Sequence, residues 1–501
     1  MLEYKSCYEA VKSKDARFDG KFFTAVKTTK IYCRPICKVP APKEENCDFY
    51  ETSAEAEAAG FRPCMRCRPE LAPEFSEFNQ ETVLIGQCLR FFEKNEYGSN
   101  LIKQAAEELG ISERHIHRLF VSELGVSPKQ YIMTKRLLNA KQLLQSTNLS
   151  VTEIAGRVGF GSQTRLTDTM KLRYGITPRD LRKSGKRLNE VKVKLGYRPP
   201  YDWEQMLMFF KMRAIPGVEW VTSDGLYRRI LRMDDHHVGW IELKPDLTSH
   251  YLELKVSESL EPVLLQVIEK VKRVFDLSLD PLSLPMGIER GTRLPGSFDA
   301  FEMSVRAVIG QQISVVAATT LMGRLVKQTG TPIQTPWEQL SHVFPKPKEI
   351  LVIDDIEGTF GSLGIIRTRS QTIYALADEI ESNRLNLDPV AQVDFKPERI
   401  IDTLMQIKGI GRWTAEYITM RALSWPDVFL NTDLVIKQNL LPRLKDTAGT
   451  DLLDLKATMK PYGFDKLYMG VSETFAEAYR PWRSYLTLAI WRGGLSDEIE
   501  S

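Results

Sequence analysis

Between residues 80 and 185 apolar side chains recur every three or four positions, as in Leu101-Ile-Lys-Gln-Ala-Ala-Glu-Glu-Leu109, and short Gly turns interrupt them. That period predicts a run of amphipathic helices. Residues 190–282 behave differently. In His237-Val-Gly-Trp-Ile-Glu-Leu and His250-Tyr-Leu-Glu-Leu-Lys-Val apolar and polar positions alternate, which predicts strands with one buried face. Residues 283–501 return to helical spacing with Gly and Pro punctuation. Residues 1–78 hold a cluster of cysteines instead of a long periodic run. Two stretches read as linkers, Pro69-Glu-Leu-Ala-Pro-Glu74 and the charged Arg182-Lys-Ser-Gly-Lys-Arg187.

Composition narrows the class. A chain of 501 residues, 43% hydrophobic and 27% charged, has material for three or four cores and is neither disordered nor collagen-like. No run of about 18 apolar residues is available to cross a membrane. The first residues lack the basic-then-apolar layout of a signal peptide, so a cytoplasmic location is expected. Net charge is only +3, yet residues 81–187 hold 18 basic and 10 acidic side chains, whereas 188–501 hold 37 and 42. The near-neutral average hides a basic middle suited to a polyanion.

All seven cysteines lie in the first 88 positions, a distribution that suits metal binding or reactive thiols better than disulfides. Cys33-Arg-Pro-Ile-Cys37 and Cys64-Met-Arg-Cys67 are two short-range pairs separated by 26 residues. Such a pattern can place four sulfurs at tetrahedral corners around Zn²⁺. Thr28-Thr-Lys-Ile-Tyr-Cys-Arg-Pro-Ile-Cys37 and Ala58-Ala-Gly-Phe-Arg-Pro-Cys-Met-Arg-Cys67 resemble the N-terminal domain of the bacterial Ada DNA-repair family. That resemblance implies one zinc held by Cys33, Cys37, Cys64 and Cys67. It also implies that Cys33 is the nucleophile taking a methyl group irreversibly from a DNA methylphosphotriester. Four thiolates around Zn²⁺ carry a formal charge of −2, so methylating one relieves repulsion from DNA and raises affinity for it. Cys7, Cys47 and Cys88 fall outside the motif and read as plain thiols.

The basic middle contains two helix-turn-helix patterns. Leu101–Gly110 is followed by Ile-Ser-Glu-Arg-His-Ile-His-Arg-Leu-Phe120, and Val151–Gly159 by Phe-Gly-Ser-Gln-Thr-Arg-Leu-Thr-Asp-Thr-Met170. In each, a small residue packs, a Gly turns, and a polar-faced helix follows. The tandem pair, closed by Tyr174-Gly-Ile-Thr-Pro178, resembles the AraC-type DNA-binding domain. Arg114, His115 and Arg118 on one recognition helix, and Gln163, Thr164 and Arg165 on the other, are the candidate DNA contacts. The resemblance also implies activation of transcription, with RNA polymerase as a protein partner.

Met405-Gln-Ile-Lys-Gly-Ile-Gly-Arg-Trp-Thr-Ala415 places Gly409 and Gly411 just before a helix. Glycines there let backbone N–H groups approach a phosphate. This is the helix-hairpin-helix pattern of DNA glycosylases, and Asp433 matches their aspartate about twenty residues further on. A carboxylate can stabilise the positive sugar formed as an N-glycosidic bond breaks; Asn431-Thr-Asp433 could equally cap a helix. Tyr197–Trp203, Gly291–Phe301, Val305–Ser314 and Arg480–Tyr485 resemble the AlkA-type 3-methyladenine glycosylases over roughly 190–495. The resemblance implies an aromatic base pocket of Trp413, Tyr417 and Trp482, and puts Gln312 where a wedge residue enters the DNA. Bifunctional relatives carry a lysine where Trp413 stands, which implies base release without strand cleavage. With no cysteine after Cys88, no iron–sulfur cluster is expected, and neither is an O6-methylguanine acceptor.

The expected fold class is α+β multidomain. Residues 1–78 form a small zinc α/β domain and 80–185 an all-α tandem helix-turn-helix domain. An antiparallel β-rich subdomain follows over 190–282 and an all-α helix-hairpin-helix glycosylase core over 283–501. The expected activity is dual: suicidal methyl acceptance at Cys33, which switches on DNA binding, and monofunctional excision of alkylated purines with Asp433. Double-stranded DNA, alkylated or promoter, is the partner of a monomer with no membrane attachment. A transcription regulator whose glycosylase half only clamps DNA is the alternative, as is a repair enzyme whose front half only anchors it.

Overall fold

The computed structural model describes residues 3–73, 83–95, 100–182, 190–387, 396–445, 449–458 and 460–493. Most of the linker read at Arg182–Arg187 lies outside the described residues. The N-terminal unit packs helices α1 (Tyr4–Ser13) and α2 (Ser53–Ala58) on a sheet of β1 (Phe23–Val26), β2 (Ile31–Cys33), β3 (Cys47–Tyr50) and β4 (Arg62–Pro63). The strand order is β3-β1-β2-β4; β1 is antiparallel to both neighbours, whereas β2 and β4 run parallel. A capping box between Thr52 and Glu55 starts α2, as the Thr-x-x-Glu spacing requires.

Seven helices follow: α3 (Val83–Lys94), α4 (Leu101–Leu109), α5 (Glu113–Leu124), α6 (Pro128–Ser146), α7 (Val151–Arg157), α8 (Gln163–Tyr174) and α9 (Pro178–Leu181). Helix α6 joins the two helix-turn-helix halves and has a Ser127–Gln130 capping box with Pro128 in its first turn. Gly110 and Gly159 make the turns at φ 65° and 78°, a region where a Cβ is strained.

Strands β5 (Val191–Gly196), β6 (Glu219–Val221), β7 (Tyr227–Arg232), β8 (Val238–Asp246) and β9 (Tyr251–Val256) form a wholly antiparallel sheet in the order β5-β9-β8-β7-β6. The alternation seen in the sequence is real: β9 buries Leu252, Leu254 and Val256. Two helices interrupt this strand-like stretch, α10 (Trp203–Arg213) and α11 (Leu264–Val274). The helical remainder comprises α12 (Ala300–Ile309), α13 (Val315–Thr329), α14 (Pro347–Leu351), α15 (Ile356–Ser362), α16 (Arg367–Glu381) and α17 (Pro397–Gln406). It continues with α18 (Arg412–Ala422), α19 (Leu434–Leu440), α20 (Leu452–Thr458), α21 (Pro461–Glu477) and α22 (Arg483–Trp491).

The apolar interiors do not follow the sequence segments. One core runs from the second helix-turn-helix half (Leu137, Leu166, Met170) straight into the five-stranded sheet (Val193, Leu243, Leu254). Another gathers the C-terminal helices and takes Ile215 and Val218 from the sheet-bearing segment. Polar ties add to this. Glu57 of α2, deeply buried, accepts from Tyr174 of α8 (2.8 Å), Thr134 of α6 (2.9 Å) and Tyr32 (3.1 Å). The Lys141–Glu70 pair is enclosed between α6 and the N-terminal unit. The buried charges between the N-terminal unit and the second helix-turn-helix half thus each meet partners, as their burial requires.

Candidate functional site

The parallel pairing of β2 with β4 brings the two cysteine pairs together. Tyr32 pairs with Pro63, and the Cys64 N–H donates to the Tyr32 carbonyl at 2.9 Å, so Cys33 and Cys64 leave adjacent strand ends. A turn closed from Cys37 N–H to the Arg34 carbonyl (3.1 Å) brings Cys37 back. The four Sγ atoms lie within 4.8 Å of one another. Sulfurs ~2.3 Å from a tetrahedral centre sit about 3.8 Å apart, so the set fits one zinc ion. Backbone N–H groups of Arg34 and Arg66 donate to Cys67 Sγ (3.3 Å) and Cys64 Sγ (3.4 Å). A divalent cation at the centre of the set would hold all four sulfurs deprotonated. Cys33, Cys37 and Cys64 line a cavity of about 580 Å³ together with Thr24, Arg34 and Arg66, of which Arg66 is the exposed one. Cys7, Cys47 and Cys88 are buried elsewhere.

On α5, Arg114 and Arg118 are exposed and His115 is half-buried; Ser112 caps the helix by accepting from His115 N–H at 3.1 Å. On α8, Gln163, Thr164 and Arg165 are exposed, Ser162 caps the helix, and Gln163 accepts from Thr152 at 2.8 Å. Both helices thus present their polar faces outward next to their glycine turns.

In the C-terminal half, α17 and α18 flank the hairpin. Gly409 has φ 96°, and a Cβ there would lie 2.1 Å from Thr372 Oγ1, so only glycine fits. Gly411, the N-cap of α18, faces open space, which leaves the first turn of α18 approachable by a ligand. Thr372 donates to the Lys408 carbonyl (2.9 Å) and Gln311 Nε2 to the Gly409 carbonyl (2.9 Å), bracing the turn from two sides. Gln312, beside it, is exposed at φ 56°. A left-handed non-glycine residue costs roughly 1–2 kcal/mol, strain of the kind that gathers at functional loops.

Asp433 caps α19, with Oδ1 accepting from Val435 N–H (2.9 Å) and Ile436 N–H (3.1 Å). Two indoles complete the shell. Trp491 Nε1 donates to Oδ1 at 3.0 Å and Trp413 Nε1 to Oδ2 at 3.1 Å. Cap and pocket carboxylate are therefore one residue. Trp413 stacks on Tyr417 (5.2 Å, 17°), and Trp491 meets Tyr417 edge-on at 6.2 Å. Burial pushes the Tyr417 phenol up, but Arg421, Arg213 and Arg306 outweigh it and leave it below its ordinary value. Trp482 is placed differently from the sequence reading. It is 5% exposed, starts α22 and packs edge-on against Tyr485 at 5.5 Å. The second indole beside Asp433 is Trp491, nine residues on. Nine helical residues turn through about 900°, which puts the two rings on opposite sides of α22.

Comparison with known proteins matches three segments of the chain to families. The family described as the metal binding domain of Ada matches residues 6–70, a helix-turn-helix domain family 105–184, and the AlkA N-terminal domain family 192–299. A Mycobacterium tuberculosis protein named "Probable bifunctional transcriptional activator/DNA repair enzyme AlkA" is 32% identical over 98% of this chain and 96% of its own length. DNA-3-methyladenine glycosylase 2 of Escherichia coli is 32% identical over 59% of this chain and 95% of its own. The Escherichia coli bifunctional transcriptional activator/DNA repair enzyme Ada is 32% identical over 36% of this chain and 49% of its own. The cysteine cluster is thus an Ada-type site for one Zn²⁺. The chain belongs to the family of bifunctional transcriptional activator/DNA repair enzymes in which an Ada-like front half is fused to an AlkA-like glycosylase half.

Proposed function

We propose that this chain repairs alkylated DNA at two sites and reports the damage through its helix-turn-helix pair. At the first site Cys33 Sγ attacks the methyl carbon of a methylphosphotriester. An S–C bond forms, the C–O bond breaks, and the electron pair leaves with the phosphate oxygen, restoring a diester. Bound zinc supplies one thing, sulfurs kept deprotonated at neutral pH. Cys37, Cys64 and Cys67 complete the ligand set, and Arg66 on the cavity rim suits a phosphate. The thioether does not turn over. Its lower negative charge favours DNA, which Arg114, His115 and Arg118 on α5 and Gln163, Thr164 and Arg165 on α8 contact in the major groove. RNA polymerase then meets the DNA-bound activator.

At the second site, Gly409 and Gly411 take a backbone phosphate and Gln312 enters the gap left by a flipped nucleotide. Trp413, Tyr417 and Trp491 offer electron-rich faces to a cationic alkylated purine. As the N–C1′ bond breaks, its electron pair leaves with the base, which departs neutral. Asp433 stabilises the positive sugar, and a water oxygen bonds C1′ and gives up one proton to bulk solvent, leaving a hydroxyl on the sugar. With Trp413 where a Schiff-base lysine would stand, the strand is left uncut.

One observation carries this reading: a carboxylate held by four N–H groups between two indoles, next to a glycine hairpin. Base release from methylated duplex DNA by the wild type and by Asp433→Asn tests it. A fall of at least about 100-fold is expected, in the range for losing a charge-stabilising group. Equal release refutes the assignment, and release by neither leaves the DNA-clamp reading. For the first site, mass spectrometry must find one added methyl on Cys33; a methyl on another cysteine overturns its role.

A further inference from the structure

The methyl-acceptor site is not self-contained. Arg34, between two ligand positions, donates its backbone N–H to Cys67 Sγ (3.3 Å) and its Nη1 to the Cys67 carbonyl (3.3 Å). Its Nε bonds Asp19 Oδ1 at 2.9 Å, and its Nη2 bonds the other carboxylate oxygen. Both side chains are almost fully buried, Asp19 at 1% and Arg34 at 7% exposure.

What holds Asp19 comes from the other half of the chain. Arg198, just past β5 and 1% exposed, donates Nε to the Asp19 carbonyl (3.0 Å). It also donates Nη2 to the Pro73 carbonyl (3.1 Å) and Nη1 to the Ser278 carbonyl (2.7 Å). The Arg198 carbonyl in turn accepts from Arg293 (2.7 Å), a buried residue of the glycosylase half. Lys21 pairs with Asp280 at 2.6 Å across the same junction. The backbones approach unusually closely. A Cβ at Gly196, the last residue of β5, would lie 2.8 Å from Arg34 Nη2 and 3.1 Å from the Leu71 carbonyl, and one at Gly20 would lie 3.2 Å from Arg198 Nη2. β5 is an edge strand, and the N-terminal unit covers it. Hydrogen bonds and missing Cβ atoms are separate observations, and both place the AlkA-like strand directly behind the cysteine loop.

We propose that Arg198 and Gly196 are positioning residues of the methyl-acceptor site, fixing through Asp19 the Arg34 loop that orients Cys33 and Cys67. The inference deepens the reading of Cys33 as methyl acceptor and rests on it. The physical role is twofold. Asp19 neutralises the buried Arg34 guanidinium, which lies beside the Cys67 ligand. The anchored loop keeps the Arg34 N–H on Cys67 Sγ. An Ada-like front half is thereby completed by the enzyme fused behind it.

The test uses full-length protein carrying zinc, as wild type, Arg198→Met, Arg198→Lys and Gly196→Ala. Two readouts are followed: zinc loss to a coloured chelator, and methyl gain on Cys33 by mass spectrometry after mixing with methylated DNA. Groups that support metal ligands change affinity or activity by roughly 10- to 100-fold when removed. Arg198→Met should therefore lose zinc and slow methyl gain by at least about tenfold. Base release, whose residues Arg198 does not touch, should stay within about twofold. Arg198→Lys, which keeps the charge and part of the bonding, should recover much of both losses. Unchanged zinc loss and methyl gain in a folded Arg198→Met overturn the proposal. Should that variant not fold, Gly196→Ala decides, because it deletes no hydrogen-bonding group and presses a methyl on Arg34 and the Leu71 carbonyl. Wild-type rates there overturn it equally. A wild type that never methylates Cys33 refutes the acceptor reading instead, and the zinc readout still judges Arg198.

Discussion

Trp491 provides the most discriminating perturbation, because it stands beside Asp433, where the sequence reading expected Trp482. Trp491→Phe keeps an aromatic ring of similar reach and deletes the N–H that donates to Asp433 Oδ1 at 3.0 Å. Hydrogen bonds to a charged group contribute about 1.5–3 kcal/mol. If that bond is worth as much in the transition state, its loss slows base release by roughly 10- to 150-fold. The effect should fall on the chemical step, because the ring that stacks on a bound base remains. Single-turnover release of alkylated purines from a methylated duplex, read at saturating enzyme, isolates that step. Trp482→Phe is the control. It trims a ring packed on Tyr485 in the core and should lower thermal stability while leaving the single-turnover rate within about threefold. Wild-type rate in Trp491→Phe, or a large rate loss in a folded Trp482→Phe, refutes the assignment.

Three further outcomes are expected. Gly409→Ala should destabilise the chain by more than about 1 kcal/mol, since it combines φ 96° with a clash at Thr372. Gly411→Ala, facing open space, should leave thermal stability unchanged and weaken DNA binding in an anisotropy titration. Equal stability loss in both would contradict the division of labour between the two glycines. Lys141→Met should cost up to about 3–5 kcal/mol in denaturant unfolding, because Glu70 keeps its charge in the interior with only Arg68 left as an ion-pair partner among the described residues; Lys141→Met with Glu70→Gln should recover much of it. Burial pushes Asp276 from 3.8 up to about 6, so the folded chain binds that proton more tightly than the unfolded chain. Its contribution is fully present below about pH 4 and lost as pH rises through 6, an effect of up to ~3 kcal/mol. The stability difference between wild type and Asp276→Asn should follow that slope across pH 4–7, and a flat difference would contradict it.

Legibility followed range. Cys33–Cys37, Cys64–Cys67, Gly409–Gly411 and the glycine turns before the recognition helices each place their chemistry within a turn or two. Backbone geometry alone ties spacing to function there. Strand alternation in β8 and β9 was readable for the same reason, since a face is set by every second residue. Asp433 was readable twice over, as cap and as carboxylate, and the structure unites the two. The choice between Trp482 and Trp491 was not readable, because it depends on which side of α22 meets α19, and both tryptophans suit an aromatic pocket.

The amino-acid sequence by itself determined the chemical kit: four sulfurs for one zinc, two polar-faced helices in a basic segment, and a glycine hairpin followed by a carboxylate. Tertiary structure decided how the kit is mounted. It paired β2 with β4 so that two distant cysteine pairs meet, and ran one core from the second helix-turn-helix into the five-stranded sheet. It also set Arg198 and Gly196 behind Arg34, about 160 residues away in the chain. Such arrangements rest on contacts between remote segments, where close packing selects one fit among many. Local spacing carries no record of that choice.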